Sequence, residues 1–149
     1  MVVQTEVRNA LGWITLNRPE VRNALSGELM EGIGESVDRF AADAEVRALV
    51  LTGAGTAFCA GADLRSMQGA RASSDEDNRA DARRMGSLFH RIASCRKPVV
   101  ARVNGPAIGG GVGLMAACDI VVAAEGARFQ FSEVRLGIVP AVISPFCIR

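Results

Sequence analysis

Glu133 has the most chemically pointed setting in the chain. It lies in Phe129-Gln-Phe-Ser-Glu-Val-Arg-Leu-Gly-Ile-Val-Pro140, an otherwise apolar stretch just past a strand pattern. A carboxylate in such surroundings is desolvated and resists ionisation, which suits a general base or acid. Taken alone, a salt bridge to Arg135 or Arg128 accounts for it equally well. A second motif is Asn104-Gly-Pro-Ala-Ile-Gly-Gly-Gly-Val-Gly113. It joins an apolar strand pattern to an apolar helix pattern, and three glycines in a row at a helix start expose unpaired N–H groups. The positive end of the helix dipole adds to their attraction for negative charge, so an oxyanion is well placed there. Close helix–sheet packing alone does not explain the run. A third motif, Ala57-Phe-Cys-Ala-Gly-Ala-Asp63, follows a strand and a glycine turn. Asp63 is a candidate cap for the next helix. The small residues let a ligand approach backbone N–H groups, although plain strand-to-helix turn chemistry uses the same residues.

Other chemistries fit these residues poorly. Gly111-Val-Gly-Leu-Met-Ala116 matches G-x-G-x-x-A, but the preceding strand ends near Val103, too far ahead for a dinucleotide turn. No Lys-Ser or Lys-Thr follows the glycines, so a phosphate loop of the Walker type is excluded. His90 is the single histidine, Tyr is absent, and Cys59, Cys95, Cys118 and Cys147 form no CxxC pair. A Cys/His metal site is therefore not expected, and the cysteines read as small buried hydrophobes. Acid–base chemistry falls mainly to carboxylates.

The elements that position these motifs follow from the apolar spacing. Thr5-Glu-Val-Arg and Trp13-Ile-Thr-Leu alternate around Asn9–Gly12, which predicts a β-hairpin. Ser26 is a candidate N-cap, and Leu29, Ile33, Val37 and Phe40 recur at helical spacing to about Ala42. Ala48–Thr52, Val99–Val103, Ile120–Ala124 and Ala127–Phe131 read as strands. Asn78–Cys95 and Gly109–Cys118 read as helices, the second fully buried. Gly69–Asp77 reads as a polar loop, a connector or a lid. Strands alternating with helices from Ala48 onward predict α/β architecture with parallel strands.

The chain has 149 residues, 49% of them hydrophobic and 22% charged, which fits one packed domain and excludes intrinsic disorder. The net charge of +1 excludes a basic nucleic-acid footprint. No apolar run approaches the roughly 18 residues of a membrane span, and the N-terminus lacks a signal-peptide layout, so a soluble cytoplasmic protein is expected. Pro140–Arg149 is apolar without a polar tail, so either a partner covers it or the natural chain continues.

Taken together, the order Asn-Arg-Pro…Asn-Ala-Leu, then Ala57–Leu64, Asn104–Leu114, Cys118–Ala123 and Phe131–Pro140 resembles the enoyl-CoA hydratase/isomerase (crotonase) superfamily. The resemblance spans Asn17 to Pro140. It implies the ClpP/crotonase fold, an α/β spiral of ββα units, with residues 1–149 as its N-terminal core domain and the family's C-terminal helical segment absent. It implies an acyl-CoA substrate whose thioester carbonyl is polarised by two backbone N–H groups, here those of Ala62 and Gly110. Glu133 matches the family's second catalytic Glu. The first would fall at position 113, where this chain has Gly113, so a two-carboxylate mechanism is not available. Three readings follow: an enoyl-CoA hydratase using Glu133 alone, an enoyl-CoA isomerase, or a non-catalytic acyl-CoA-binding relative. Gly113 and the Val139–Phe146 ending are similar to hydratases of branched carboxylated enoyl-CoAs such as methylglutaconyl-CoA. By the same resemblance, coenzyme A meets Arg22, Ala24, Ala60, Gly61, Asp63, Leu64 and Gly109, with Arg22 a candidate phosphate contact and Arg65 and Met67 candidates for the acyl side. No metal or redox cofactor is implied, since coenzyme A belongs to the substrate. Neither a nucleic-acid nor a membrane partner is implied. A full-length relative would form a homotrimer or a dimer of trimers.

Overall fold

Alternating side chains and a tight turn begin the fold. The computed structural model describes residues 1–63 and 74–148. Strands β1 (Val3–Arg8) and β2 (Leu11–Leu16) pair antiparallel with Arg8 opposite Leu11. Asn9 and Ala10 both adopt positive φ, the twist that a two-residue hairpin turn requires. Helix α1 (Gly27–Ala42) starts where expected, with the Ser26 hydroxyl accepting from Leu29 N at 3.2 Å. Strand β3 (Ala48–Gly53), helix α2 (Asp75–Ala93), β4 (Val99–Val103), β5 (Ala107–Ile108), α3 (Gly110–Ala116), β6 (Ile120–Ala123), β7 (Phe129–Gln130) and α4 (Ser144–Cys147) follow, with a 3-10 turn at Glu133–Leu136.

The main sheet runs β1-β2-β3-β4-β6, parallel from β2 onward. Its parallel strands are adjacent in chain order. Right-handed crossovers that keep advancing in one direction place their helices on one face, which gives a spiral rather than a doubly wound sheet. Ile14, Leu16, Leu49, Leu51, Ala101 and Val103 point to that face, each no more than 1% exposed. Leu29 and Ile33 of α1 and Phe89 and Ile92 of α2 cover them. Each of these side chains larger than Ala101 stabilises the fold by about 1.5–3 kcal/mol.

Several expectations need correction. Asp75–Asp77 is not loop but the first turn of α2, held by a capping box in which Ser74 and Asp77 bond reciprocally. Those bonds hold the Asp77 carboxyl below its ordinary value. The rest of the expected loop, and Leu64, Arg65 and Met67, lie outside the described residues. The strand expected at Ala127–Phe131 shrinks to β7, which joins β5 in a separate two-stranded parallel sheet that apolar patterning did not reveal. Only Cys59 and Cys118 are buried, whereas Cys95 and Cys147 are half-buried.

Candidate active site

Two backbone bridges place the small-residue motifs side by side. Cys59 pairs in parallel with Ala107, with Ile108 N donating to Cys59 O at 3.0 Å. Ala62 and Gly110 each lie three residues beyond that bridge, so the two segments reach the same level together. On its other side, the 59–63 segment pairs with Leu25: Leu25 N donates to Gly61 O at 2.7 Å and Asp63 N to Leu25 O at 3.2 Å. Successive N–H groups of an extended segment point in opposite directions. The Ala62 N–H therefore points away from Leu25, toward the glycine run. A Cβ on Gly110 would stand 3.7 Å from Ala62 N, and one on Gly61 would stand 3.2 Å from Gly110 N. Among the described residues neither Ala62 N nor Gly110 N finds a backbone or side-chain acceptor.

Glu133 arrives by the same device. Strand β5 runs into Gly109 and β7 runs into Phe131, in register Ala107 to Phe129 and Ile108 to Gln130. Gly109 N then donates to Gln130 O at 2.8 Å. The parallel pair delivers the start of α3 and the Ser132–Glu133 turn to one place. Gly109 has φ +50°, a region that disfavours side chains, and a Cβ there would stand 3.2 Å from Glu133 Oε1. Glu133 Oε2 is buried and has no hydrogen-bond partner, and neither of the expected arginine ion pairs forms among the described residues.

These groups share a cavity of about 780 Å³. Ala60, Gly61, Ala62, Asp63, Gly109, Gly110, Ser132 and Glu133 lie on its wall, with Met30 and Met85 on the helix side and Ile138–Ile143 opposite. Two of the coenzyme A candidates lie off it. Arg22 is exposed, with φ +52°, and uses its backbone carbonyl to accept from Ala60 N at 2.9 Å. Ala24 is buried behind the wall. The arginine that turns inward is Arg18: its guanidinium meets Asp63 Oδ2 at 2.9 Å and Ala24 O at 2.7 Å. Asn23, fully buried, donates from Nδ2 to Ala54 O and Ala57 O, both at 2.9 Å. Asn104 accepts from Gly53 N at 3.0 Å. These residues clamp the 53–63 loop, and sequence reasoning credited none of them with it. The available signal was polar residues recurring at apolar–glycine junctions, where orphan backbone groups need partners.

Gly113 is not on the cavity wall. It is buried within α3, where a Cβ would come 2.3 Å from Ile143 Cγ2 and 3.2 Å from Phe89 Cε2. Ile143, itself 2% exposed, fills the space that a side chain at 113 would need. Burial pushes the Cys59 thiol up to about 12. Cys147 is raised by burial and, secondarily, by the negative charge of nearby Glu133.

Paired N–H groups with no acceptor among the described residues, beside a buried carboxylate oxygen, form an arrangement that can polarise a carbonyl and move a proton. The family model described as enoyl-CoA hydratase/isomerase matches residues 6–149, and the chain belongs to that family. It is similar to the short-chain-enoyl-CoA hydratase of Clostridium acetobutylicum, 40% identical over an alignment of 132 residues that covers 85% of this chain and 48% of that protein. Among solved structures, Pseudomonas aeruginosa AtuE superimposes with a TM-score of 0.95 at 40% identity, covering 100% of this chain and 58% of that one. An enoyl-CoA hydratase from Shewanella pealeana gives 0.94 at 32% identity, covering 98% and 55%. The fold is the crotonase fold, and the chain spans between 44% and 58% of the length of the curated relatives it matches. No described helix is long and apolar enough to cross a membrane.

Proposed function

We propose that this chain carries the active site of an enoyl-CoA hydratase. The observation that carries the reading is the convergence on one cavity of two N–H groups, at Ala62 and Gly110, with the buried Glu133 Oε2, none of which has a hydrogen-bond partner among the described residues. The thioester oxygen lies between the two N–H groups. As water attacks C3, the π electrons move toward that oxygen, and the N–H pair stabilises the enolate. Losing one such donor typically costs about 10²–10³ in rate. Glu133 takes the proton from water and returns it to C2. The polarising groups are backbone, so the reaction as written requires no metal or redox cofactor, and coenzyme A enters with the substrate. Ala60, Gly61, Asp63 and Gly109 shape the wall against which the thioester lies.

The preferred acyl group in this reading is branched and carboxylated, of the methylglutaconyl type. Support comes from the similarity of the Val139–Phe146 segment to such hydratases, together with Ile143 occupying the space beside Gly113. A full-length homotrimer in the cytoplasm accompanies the reading. Isomerisation is the second reading, favoured by the single carboxylate: one base suffices to move a proton between carbons of one acyl chain.

The test is mass spectrometry of products from methylglutaconyl-CoA and a straight 2-enoyl-CoA. Gain of one water supports hydration. Deuterium uptake from heavy water without that gain indicates isomerisation. Glu133→Gln is expected to lower turnover roughly 10²–10⁴-fold while acyl-CoA still binds, and unchanged turnover removes Glu133 as the base.

A further inference from the structure

Resting on the hydratase reading, we propose that the Ser132 hydroxyl is the second anchor of the attacking water. Hydration by one carboxylate leaves a positional problem. A water held only through the hydrogen it gives to Glu133 is free to swing about that bond. A second acceptor for its other hydrogen fixes it and leaves a lone pair for C3. No side chain at position 113 can supply that acceptor, because Ile143 occupies the space.

Ser132 is placed to do so. It stands at the N-cap position of the Glu133–Leu136 turn, yet its hydroxyl makes no capping bond. An N-cap serine ordinarily spends its oxygen on that bond. Here the backbone is at φ −95°, ψ −2° rather than extended, which takes the side chain off the turn. Ser132 lines the cavity, next to Glu133. A Cβ built on Gly109 would have Glu133 Oε1 at 3.2 Å and Ser132 Oγ at 3.4 Å as its nearest neighbours. The two oxygens therefore face the bare α-carbon of Gly109 from one side. Gly109, Gly110, Ser132 and Glu133 all line the cavity, so a water in the cavity at this corner is in reach of both oxygens. In the step, one water hydrogen goes to the Glu133 carboxylate as the C3–O bond forms. The other stays on oxygen, hydrogen-bonded to Ser132 Oγ, and becomes the product hydroxyl. The C2=C3 π pair moves into the enolate and then takes the proton from Glu133 at C2.

The experiment compares two reactions of one site: hydration of an enoyl-CoA, and exchange of the C2 hydrogen of the matching saturated acyl-CoA in deuterium oxide. Exchange needs the Ala62 and Gly110 N–H groups and Glu133 but no water at C3. Ser132→Ala is expected to lower the hydration kcat roughly 10- to 100-fold, the range for one lost hydrogen bond to a reacting group. KM and the exchange rate should stay within about twofold. Ser132→Thr, which keeps the hydroxyl, should recover most of the hydration. Equal loss of hydration and exchange in Ser132→Ala would make the serine a support for the Glu133 turn and overturn the proposal, as would unchanged hydration. A parent protein that exchanges but hydrates no enoyl-CoA would defeat the hydratase reading itself, and the water anchor with it.

Discussion

The site is assembled from two regions that are held in different ways. The N–H pair sits where the main sheet ends, over a core in which Leu16, Leu49, Phe58, Phe89 and Leu114 are fully buried. The Glu133 oxygen sits in a segment that buries little. From Ile120 to Val139 the apolar side chains stand in the open: Val122 is 57% exposed, Val134 80% and Val139 75%. Its first residues, β6, are held by pairing with β4 in the main sheet; beyond them the segment is tied down by the short β5–β7 pairing, by Gly109 N on Gln130 O, and by Ile143 seated against α3. The half proposed to polarise the carbonyl is thus built into the core, whereas the half that carries Glu133, beyond β6, hangs from it by a few bonds.

The comparison is broken most directly by two truncations of similar size. Leu51→Ala removes a side chain that is 1% exposed and is expected to cost roughly 2–5 kcal/mol of stability. Val134→Ala removes one that is 80% exposed and should fall within about 0.5 kcal/mol of the parent. Denaturant titration of both variants checks this. Similar losses would mean that the segment after Cys118 is as well packed as the first region.

The first region was legible because its physics is local or periodic. Helical spacing from Leu29 to Phe40, the Ser26 cap and the hairpin around Asn9–Gly12 each act within a few residues, and the structure places them as expected, with the hairpin turn tightened to Asn9–Ala10. The glycine run and Glu133 were legible by residue type, the choice of Ala62 and Gly110 came through the family resemblance, and the structure gathers all three residues on one cavity wall. Less visible was whatever depends on distant partners. Arg18 and Arg22 look alike in the sequence, yet only Arg18 finds an inward carboxylate, because Arg22 sits at φ +52° with its side chain in solvent. Ile120–Ala124 reads as a strand from composition, and Ile120–Ala123 is one, but composition carries no information about what covers it. Asp75–Asp77 looked like loop because its charge masked a capping box whose partner is only three residues away.

A finer probe tests the peg between the regions. Gly113→Ala puts a methyl 2.3 Å from Ile143 Cγ2, so overpacking of about 1–3 kcal/mol is expected. Ile143→Ala alone should destabilise by leaving a cavity and should also lower turnover by loosening the segment that carries Glu133. Combined, the two changes relieve one another, so the double variant should be more stable than the sum of the singles by roughly 0.5–3 kcal/mol. Strict additivity in urea titrations would show that Ile143 does not pin the second region to α3.

The smallest expected effect reads the charge of the site through a cysteine. Cys59 belongs to the core-held region, and its thiol is pushed up to about 12 by burial. Cys147 belongs to the second region and is raised first by burial and second by the Glu133 charge. A raised thiol carries less thiolate at pH 8 and alkylates more slowly. Peptide mapping after iodoacetamide treatment of the native protein should find Cys59 untouched and Cys147 modified slowly. Glu133→Gln removes only the second cause at Cys147, so its thiolate fraction rises and its modification quickens modestly. Cys59 should not respond to that change, since its shift comes from burial in the first region. A Cys147 rate indifferent to Glu133→Gln would mean that the carboxylate does not stand charged beside α4. Modification of Cys59 at the Cys147 rate would erase the contrast between a core-held half and a hung one.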